Sequence, residues 1–325
     1  MKAPRTVLVT GAGGFIGSHF VPYLASRGWR VRAIDVHAAP PGVVGPDIDY
    51  RVLDIRDAGS LAAALADVDC VFNLASVHLD VHASFKEFEA VNVKALGRLV
   101  ELCSAAGVRR LVHVSSVGVY GHVISPPASE DAPLNPQNDY ERTKVAGEQA
   151  ALNCAAHTGM DIVVMRPSWV YGAGCPRTRK LIRSLRKGRF FFIGRGRNLR
   201  HPIYVDDLLE ALLLAAQAGP EVAGRVFNVA GPRWMTVEEM VAQFAGAIGV
   251  RAPSFHAPRW LGLTLGWTAE RVSAIVGVEP PVSRRTLAFF ENDNAFDIGA
   301  ARHSLGFEPK VELTSGVRQA AAALQ

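Results

Sequence analysis

The sequence predicts an α/β protein with a doubly wound parallel sheet and a second, smaller, mostly helical domain. A β-branched apolar run near the N-terminus ends in a glycine-rich turn that opens directly into a helical pattern. Short apolar runs then alternate with helical patterns up to residue 166, and the texture changes beyond it. Strands separated by helices imply right-handed crossovers, and therefore a parallel sheet that helices cover on both faces.

The first element is the stretch VLVTGAGGFIG at residues 7–17, in which three glycines recur at GxxGxxG spacing. Glycines at such a turn allow backbone to approach a pyrophosphate and let the following helix pack closely on the strand. The free N–H groups at the start of that helix face the anion. The stretch therefore predicts a dinucleotide site whose candidate residues are Gly11, Gly14, Phe15, Ile16 and Gly17.

The second strand, predicted at residues 30–36, places Asp35 at its end. An acid at this position, about 20 residues after the glycine turn, accepts hydrogen bonds from ribose hydroxyls and repels a 2′-phosphate. Asp35 therefore favours NAD over NADP as the cofactor. The alternative is a solvated acid at a strand end, since Arg32 and His37 stand close enough to soften the discrimination.

The later elements divide the chain into two discontinuous domains. Apolar runs of strand length follow one another up to residue 166: Tyr50–Asp54, Cys70–Ala75, Leu111–Ser115 and Ile162–Arg166. Glycine, proline and arginine become frequent from residue 167, but residues 201–216 and 225–230 are typical of one more helix and strand of the sheet. We predict a nucleotide domain at 1–166 plus about 201–231, and a substrate domain at about 167–200 plus 232–325, over the carboxyl ends of the strands.

Composition excludes several classes of protein. With 49% apolar and 20% charged residues and a net charge of +5, the chain is typical of globular proteins rather than disordered or fibrous ones. Arginines and lysines cluster between residues 177 and 200, without the aromatic pattern or recognition helix of a nucleic-acid site. A solvated helix face, or an anionic small substrate, fits this cluster better than nucleic acid.

The cysteines and histidines lack metal-ligand spacing, so no metal site is predicted, and buried thiols indicate a reducing compartment. Histidines such as His78 and His113 are assigned structural or loop roles. Asn92, inside a predicted helix, is assigned a positional role through bonds to buried backbone or water. No apolar run approaches bilayer length and no signal peptide is recognisable, so we expect a cytoplasmic protein without a membrane span.

The candidate chemistry follows the fifth strand, LVHVSSVGVYG at residues 111–121. Tyr140 and Lys144 stand at i, i+4 on a helix predicted to begin near Asp139, which puts both side chains on one face. A nearby ammonium is expected to lower the pKa of the phenol, which could then take a proton from an alcohol while nicotinamide takes the hydride. Ser116 is expected to hydrogen-bond the same oxygen.

These motifs resemble the extended short-chain dehydrogenases/reductases, the NAD-dependent sugar epimerase/dehydratase group. TGAGGFIGSH, NLAS, SSVGVYG, YERTK, RPSWVYG and LGFEP occur in the family's order over nearly the whole chain. The resemblance implies a Rossmann domain that binds NAD, with Ser116 as the catalytic hydroxyl and Tyr140 as the proton-transferring phenol. It also implies cofactor contacts for Lys144 at the nicotinamide ribose, for Asp54 and Ile55 at the adenine, and for Leu74 and Ala75 near the phosphate and ribose.

The substrate positions depart from the family's pattern. Val117 and Gly118 stand where the group's dehydratases carry an Asp-Glu pair, so dehydration is disfavoured. Trp169 replaces an asparagine that touches nucleotide sugars in many members, and the form WVYGAG also resembles 3β-hydroxysteroid dehydrogenases. Arg200 and Arg284, however, resemble arginines that bind substrate phosphate, for which a guanidinium is a bidentate partner.

The leading hypothesis is an epimerase that oxidises a secondary hydroxyl of a nucleotide-activated sugar, like UDP-glucose 4-epimerase, through a transient ketone. The alternative is an NAD(P)-dependent dehydrogenase or reductase of an apolar alcohol, like a 3β-hydroxysteroid dehydrogenase. A dinucleotide-sensing protein without catalysis is least favoured, because a sensor needs no proton-transfer group. The resemblance further implies a homodimer that pairs through helices at about residues 84–106 and 139–157.

Overall fold

The protein is built around a seven-stranded parallel sheet. The computed structural model describes residues 5–78, 83–258, 260 and 289–324. The strands of the sheet are β1 (Thr6–Thr10), β2 (Arg30–Asp35), β3 (Ile48–Val52), β4 (Cys70–Asn73), β5 (Arg110–Val114), β6 (Ile162–Pro167) and β11 (Val226–Val229). Three two-stranded pairs lie outside it: β7 (Val170–Tyr171) with β10 (Ile203–Tyr204), β8 (Phe192–Ile193) with β13 (His256–Ala257), and β9 (Leu199–Arg200) with β12 (Met235–Thr236). Arg284 lies outside the described residues.

The strand order is β11-β6-β5-β4-β1-β2-β3. All residues of β1, β4, β5 and β6 are buried, as apolar runs covered on both faces require. The chain reverses its direction of winding between β1 and β4, and ligands of such sheets bind at the carboxyl ends of the strands beside this point. The predicted fold class, a doubly wound parallel sheet, is confirmed; the division into two domains stays a prediction.

Helices occupy both faces of the sheet and the region beyond it. They are α1 (Phe15–Ala25), α2 (Ala58–Ala64), α3 (Phe85–Glu89), α4 (Leu96–Ala105), α5 (Asp139–Thr158), α6 (Pro176–Arg186), α7 (Val205–Gln217), α8 (Val237–Ala247), α9 (Gly299–Leu305) and α10 (Leu313–Ala322). Among the described residues, no helix combines the length and the apolar character that crossing a bilayer requires.

The single long helix predicted over residues 84–106 is interrupted. A capping box between Ser84 and Glu87 starts α3, and a π-helical turn at Ala90–Ala95 separates α3 from α4. π-Turns inside helices are rare and occur frequently at functional sites, where they reposition a side chain. The side chain in question here is that of Asn92, which is buried.

Candidate active site

The glycine turn between β1 and α1 is packed so tightly that a side chain does not fit at Gly11 or Gly17. Gly11 has a φ of +69°, and a Cβ atom there would lie 2.7 Å from the amide nitrogen of Ala75. A Cβ atom at Gly17 would lie 2.3 Å from the carbonyl oxygen of Gly11. Gly14 caps α1 without any side-chain hydrogen bond, so no capping side chain occupies the first N–H groups, which include those of Phe15 and Ile16. The turn therefore fits an anionic pyrophosphate.

Asp35 reaches the glycine turn from the end of β2. Its Oδ2 accepts a hydrogen bond of 3.0 Å from the backbone N–H of Gly13, and its Oδ1 accepts one of 3.0 Å from the N–H of His37. The ring of His37 also stands 3.2 Å from the carboxylate. The carboxylate is thus held at the rim of the turn, where it could accept bonds from ribose hydroxyls.

Of the other predicted cofactor residues, Leu74 and Ala75 lie against the glycine turn, since a Cβ atom at Gly11 would meet their backbone. The N–H of Leu74 donates to the carbonyl oxygen of Thr10 at 3.2 Å, and the N–H of Ala75 donates to the Thr10 hydroxyl at 3.2 Å. Ile55 is buried, and Asp54 forms an ion pair with Arg56 that lowers the pKa of the carboxyl group. These residues complete one side of the cleft; their contacts with a cofactor stay predictions.

The opposite side of the cleft brings the three predicted catalytic residues together. Ser116 follows β5 and starts a 3₁₀ turn, its Oγ accepting a 3.0 Å bond from the N–H of Gly118. Helix α5 begins at Asp139, capped by Asn138, so that Tyr140 and Lys144 lie one turn apart. Ser116 lies close enough to Tyr140 for its hydroxyl to act on the pKa of the phenol. A substrate oxygen at this point would meet both hydroxyl groups.

The electrostatics of Tyr140 differ from the prediction. Burial raises the pKa of its phenol to about 12, although the nearby Ser116 hydroxyl and the positive charge of Arg177 both act to lower it. Lys144 Nζ lies 5.9 Å from the centre of the Tyr140 ring and donates a 3.0 Å bond to the carbonyl oxygen of Val114. Burial also lowers the pKa of Lys144, to about 8. The prediction of a lowered phenol pKa is therefore wrong for this structure, because burial outweighs the neighbouring charges.

Helix α5 is fixed against the π-turn by Asn92. The Asn92 side chain accepts a 3.0 Å bond from the N–H of Val77 and donates to the hydroxyl of Thr143, the neighbour of Lys144, at 3.1 Å. The backbone carbonyl oxygen of Asn92 would lie 2.3 Å from a Cβ atom at Gly147, so the π-turn and α5 are in contact through their backbones. The predicted positional role of Asn92 is confirmed, and its partners are buried backbone and the catalytic helix.

A buried ion pair anchors the same helix one turn further on. Glu148 and Arg166 are 3% and 6% exposed, and Arg166 Nη2 donates to Glu148 Oε2 at 2.6 Å. Arg166 Nη1 donates to the Tyr120 hydroxyl at 2.7 Å, which in turn donates to Asn228 Oδ1 at 2.8 Å. This network ties α5 to β6 and β11, and the Glu148 carboxylate acts to raise the pKa of Lys144.

Sequence reasoning missed two residues beside Tyr140. The exposed ring of His78 lies 4.5 Å from the Tyr140 ring, centre to centre. Arg177, at the start of α6, is close enough for its charge to act on the phenol. Neither residue is near Tyr140 in the sequence, and neither belongs to a recognisable spacing, so only the fold brings them to the site.

The predicted substrate residues lie at the ends of β6 and β9. The Trp169 ring stacks on Phe244 at 6.1 Å between centres, and its buried Nε1 has no acceptor among the described residues. Arg200 is buried and donates to the carbonyl oxygens of Asn292, at 3.1 Å, and Phe289. Burial lowers the pKa of Arg200 to about 10. Contacts of these residues with a substrate stay predictions, as does the role of Arg284.

The chain is similar in sequence to one family of enzymes. A sequence model of the NAD-dependent epimerase/dehydratase family matches residues 7–230. A UDP-glucose 4-epimerase of Mycolicibacterium smegmatis is 34% identical over 88% of this chain and 98% of its own length. A decarboxylating sterol-4-alpha-carboxylate 3-dehydrogenase of Mus musculus is 26% identical over 98% of this chain and 90% of its own length.

Solved structures share the fold over the whole chain. The structure of MoeE5 in complex with UDP-glucose and NAD superposes with a TM-score of 0.79, at 29% identity and with 98% of both chains covered. The glycine turn, Asp35, Ser116 and Tyr140 therefore lie on a fold that is shared with a protein solved in complex with UDP-glucose and NAD.

Proposed function

Because this chain belongs to the NAD-dependent epimerase/dehydratase family, we propose that it epimerises a nucleotide-activated sugar, as UDP-glucose 4-epimerase does, through a transient ketone. The family uses NAD, which confirms the cofactor predicted from Asp35. Two further observations support the sugar assignment: the 34% identity with a UDP-glucose 4-epimerase and the likeness to a complex that contains UDP-glucose. Assembly as a homodimer and a cytoplasmic location belong to the proposal as well.

The observation that carries the proposal is the proximity of Ser116 to Tyr140 beyond the carboxyl end of β5, where the serine hydroxyl acts on the pKa of the phenol. In the proposed reaction Tyr140 accepts the proton of a sugar hydroxyl while Ser116 donates a hydrogen bond to the same oxygen, stabilising its developing charge. When bound, the oxidised nicotinamide supplies the hydride acceptor and a positive charge that favours the phenolate. Tyr140 then returns the proton to the epimer, so no further acid or base is required.

The site also explains why dehydration is disfavoured. The turn after Ser116 consists of Val117, Gly118, Val119 and Tyr120, so none of its own residues carries a carboxyl group. A Cβ atom at Gly118 would lie 3.2 Å from the side chain of Glu141, which stands over this turn instead. Glu141 Oε2 is already bonded to the N–H of Gln137 at 2.6 Å.

A second candidate is a dehydrogenase of a sterol-like alcohol, which one structural observation and one relative favour. Trp169 presents an apolar ring beside Phe244 and Phe289 where many nucleotide-sugar enzymes carry an asparagine. A sterol dehydrogenase is also among the relatives that match over nearly the whole chain.

Product analysis separates the two candidates. The purified protein is incubated with NAD and either UDP-glucose or a 3β-hydroxysteroid, and both product chromatography and reduced-nicotinamide absorbance are followed. We expect the 4-epimer of UDP-glucose to form without net reduction of NAD. Steady accumulation of NADH with the steroid, and no sugar epimer, would replace the first candidate with the second.

A further inference from the structure

One segment of the chain carries a large excess of positive charge. Between Asp161 and Asp206 the sequence contains 11 arginines and lysines and neither aspartate nor glutamate. The whole chain contains 35 basic and 30 acidic residues, so the rest of the molecule is net acidic. The charge of this protein is therefore strongly polarised toward one segment, whose central element is α6.

The exposed side of α6 and of the three residues after it forms what we call the basic face. Thr178, Ile182 and Leu185 point inward from α6 and are buried. The basic face consists of the exposed residues Arg179, Arg183, Arg186, Lys187 and Arg189. No carboxylate of the described residues forms an ion pair with any of these five, and like charges one helical turn apart repel each other.

An exposed aromatic residue borders the basic face. The chain runs from Arg189 through three phenylalanines into β8, which pairs with β13 so that Phe192 stands beside His256. Phe255, the residue before β13, is 63% exposed and its ring lies 6.3 Å from that of Phe191. Basic side chains beside an exposed aromatic ring are the combination that binds a membrane surface, because charges meet anionic headgroups while the ring enters the interface.

We propose that the basic face, together with Phe255, docks this protein on a membrane surface that contains anionic lipids. Helix α6, which carries most of the face, begins at Pro176, and the charge of Arg177 in its first turn acts on the phenol of Tyr140. The proposal does not depend on which substrate the site accepts.

Nucleic acid is the competing polyanion, and the composition of the face argues against it. Its exposed side chains are guanidinium and ammonium groups with a phenylalanine at one end. A membrane uses both the charges and the exposed ring, whereas phosphate contacts use the charges alone.

The test is co-sedimentation of the full chain with vesicles of phosphatidylcholine, alone or mixed with phosphatidylglycerol. We expect binding to the mixed vesicles only. Arg183→Gln/Arg186→Gln should weaken that binding about thirtyfold, since each basic residue near an anionic surface contributes to the partition. Arg109→Gln/Arg233→Gln, which removes two exposed arginines elsewhere and leaves the same net charge, should bind as the parent does.

A third variant separates the aromatic contribution. Phe255→Ser should keep binding at low salt and lose it when salt screens the charges, whereas the parent retains a salt-resistant fraction. Thermal unfolding and NAD titration of each variant verify that fold and cofactor site are intact. Equal weakening in both double variants, absence of binding to the mixed vesicles, or tighter binding to DNA than to those vesicles would overturn the proposal.

Discussion

One wall of the cleft is formed by backbone groups and the other by side chains. The wall at the glycine turn is built from backbone: N–H groups of residues 13 and 75 bond to Asp35 and Thr10, and the glycines leave no room for a Cβ atom. The wall at the end of β5 is built from side chains that α5 and the turn after β5 bring together. In the proposed function, the first wall binds the dinucleotide and the second carries the proton transfer.

The walls also differ in how far their polar groups are satisfied within the chain. On the glycine side, the Thr10 hydroxyl donates to Asn73 at 2.6 Å and accepts from the N–H of Ala75. After β5 and after β6, by contrast, the buried polar atoms Ser115 Oγ, Ser168 Oγ and Trp169 Nε1 have no hydrogen-bond partner among the described residues. Buried polar groups are rarely left unpaired, so these positions differ from the fully bonded glycine side.

The largest effect is expected from a substitution in the wall at the end of β5. Tyr140→Phe removes the proton acceptor, and turnover should fall by about 10²–10⁴-fold while NAD still binds, because the glycine wall is untouched. The control is Tyr204→Phe, which loses a 2.8 Å bond to Gln319 on α10 and should turn over normally. Steady-state rates and NAD titration of both variants check this, and undiminished turnover of Tyr140→Phe would refute the assigned proton transfer.

A second prediction concerns Lys144, whose titration should make the stability of the protein depend on pH. Burial lowers the pKa of Lys144 from its ordinary 10.5 to about 8, so between these values the unfolded chain holds a proton that the native chain has released. Stability should therefore rise with pH across this window, by about 3 kcal/mol from this group.

Urea unfolding at several pH values measures that contribution. Lys144→Met should remove it, so that its stability curve and the parent curve converge toward pH 10.5 and diverge toward pH 8. Lys86→Met, at an exposed lysine, should leave the shape of the curve unchanged. Parallel curves for the parent and Lys144→Met would contradict the lowered pKa.

The smallest expected effect concerns the backbone wall. Gly17→Ala would force a Cβ atom to within 2.3 Å of the Gly11 carbonyl oxygen, which should cost about 1–3 kcal/mol of stability and weaken NAD binding. Gly97, inside α4, has open space around its Cα atom, so Gly97→Ala should instead stabilise by about 0.5–1 kcal/mol. Urea unfolding and NAD titration compare the two, and equal NAD affinity in both would show that the turn tolerates displacement.

The wall at the glycine turn could be predicted well from the sequence, because the patterns that define it involve only neighbouring residues. The strand predicted at residues 30–36 is observed at 30–35, and the helix expected near Asp139 begins there. Glycine spacing and apolar period depend on a few neighbouring residues, so a single sequence contains them. The identities of Ser116, Tyr140 and Lys144 required the order of motifs as well, and the fold brings the three together as that order implied.

The remaining features depend on contacts between distant segments. The π-turn at residues 90–95 lies where Asn92 meets Gly147, a contact that local periodicity does not contain. The direction of the Tyr140 pKa depends on how deeply α5 is buried, and charge spacing along the helix cannot supply that. His78 and Arg177 reach the phenol from two other parts of the chain for the same reason.

The position of β11 limits how far this protein can be trimmed. β11 pairs with β6, every residue of which is buried, yet it is synthesised only after the whole basic segment and α7. A fragment that stops at residue 167 would expose the backbone donors and acceptors of an apolar strand, the arrangement that promotes edge-to-edge aggregation. A piece from the N-terminus that ends before residue 229 therefore lacks a complete sheet, and during synthesis the sheet can be completed only once β11 has left the ribosome.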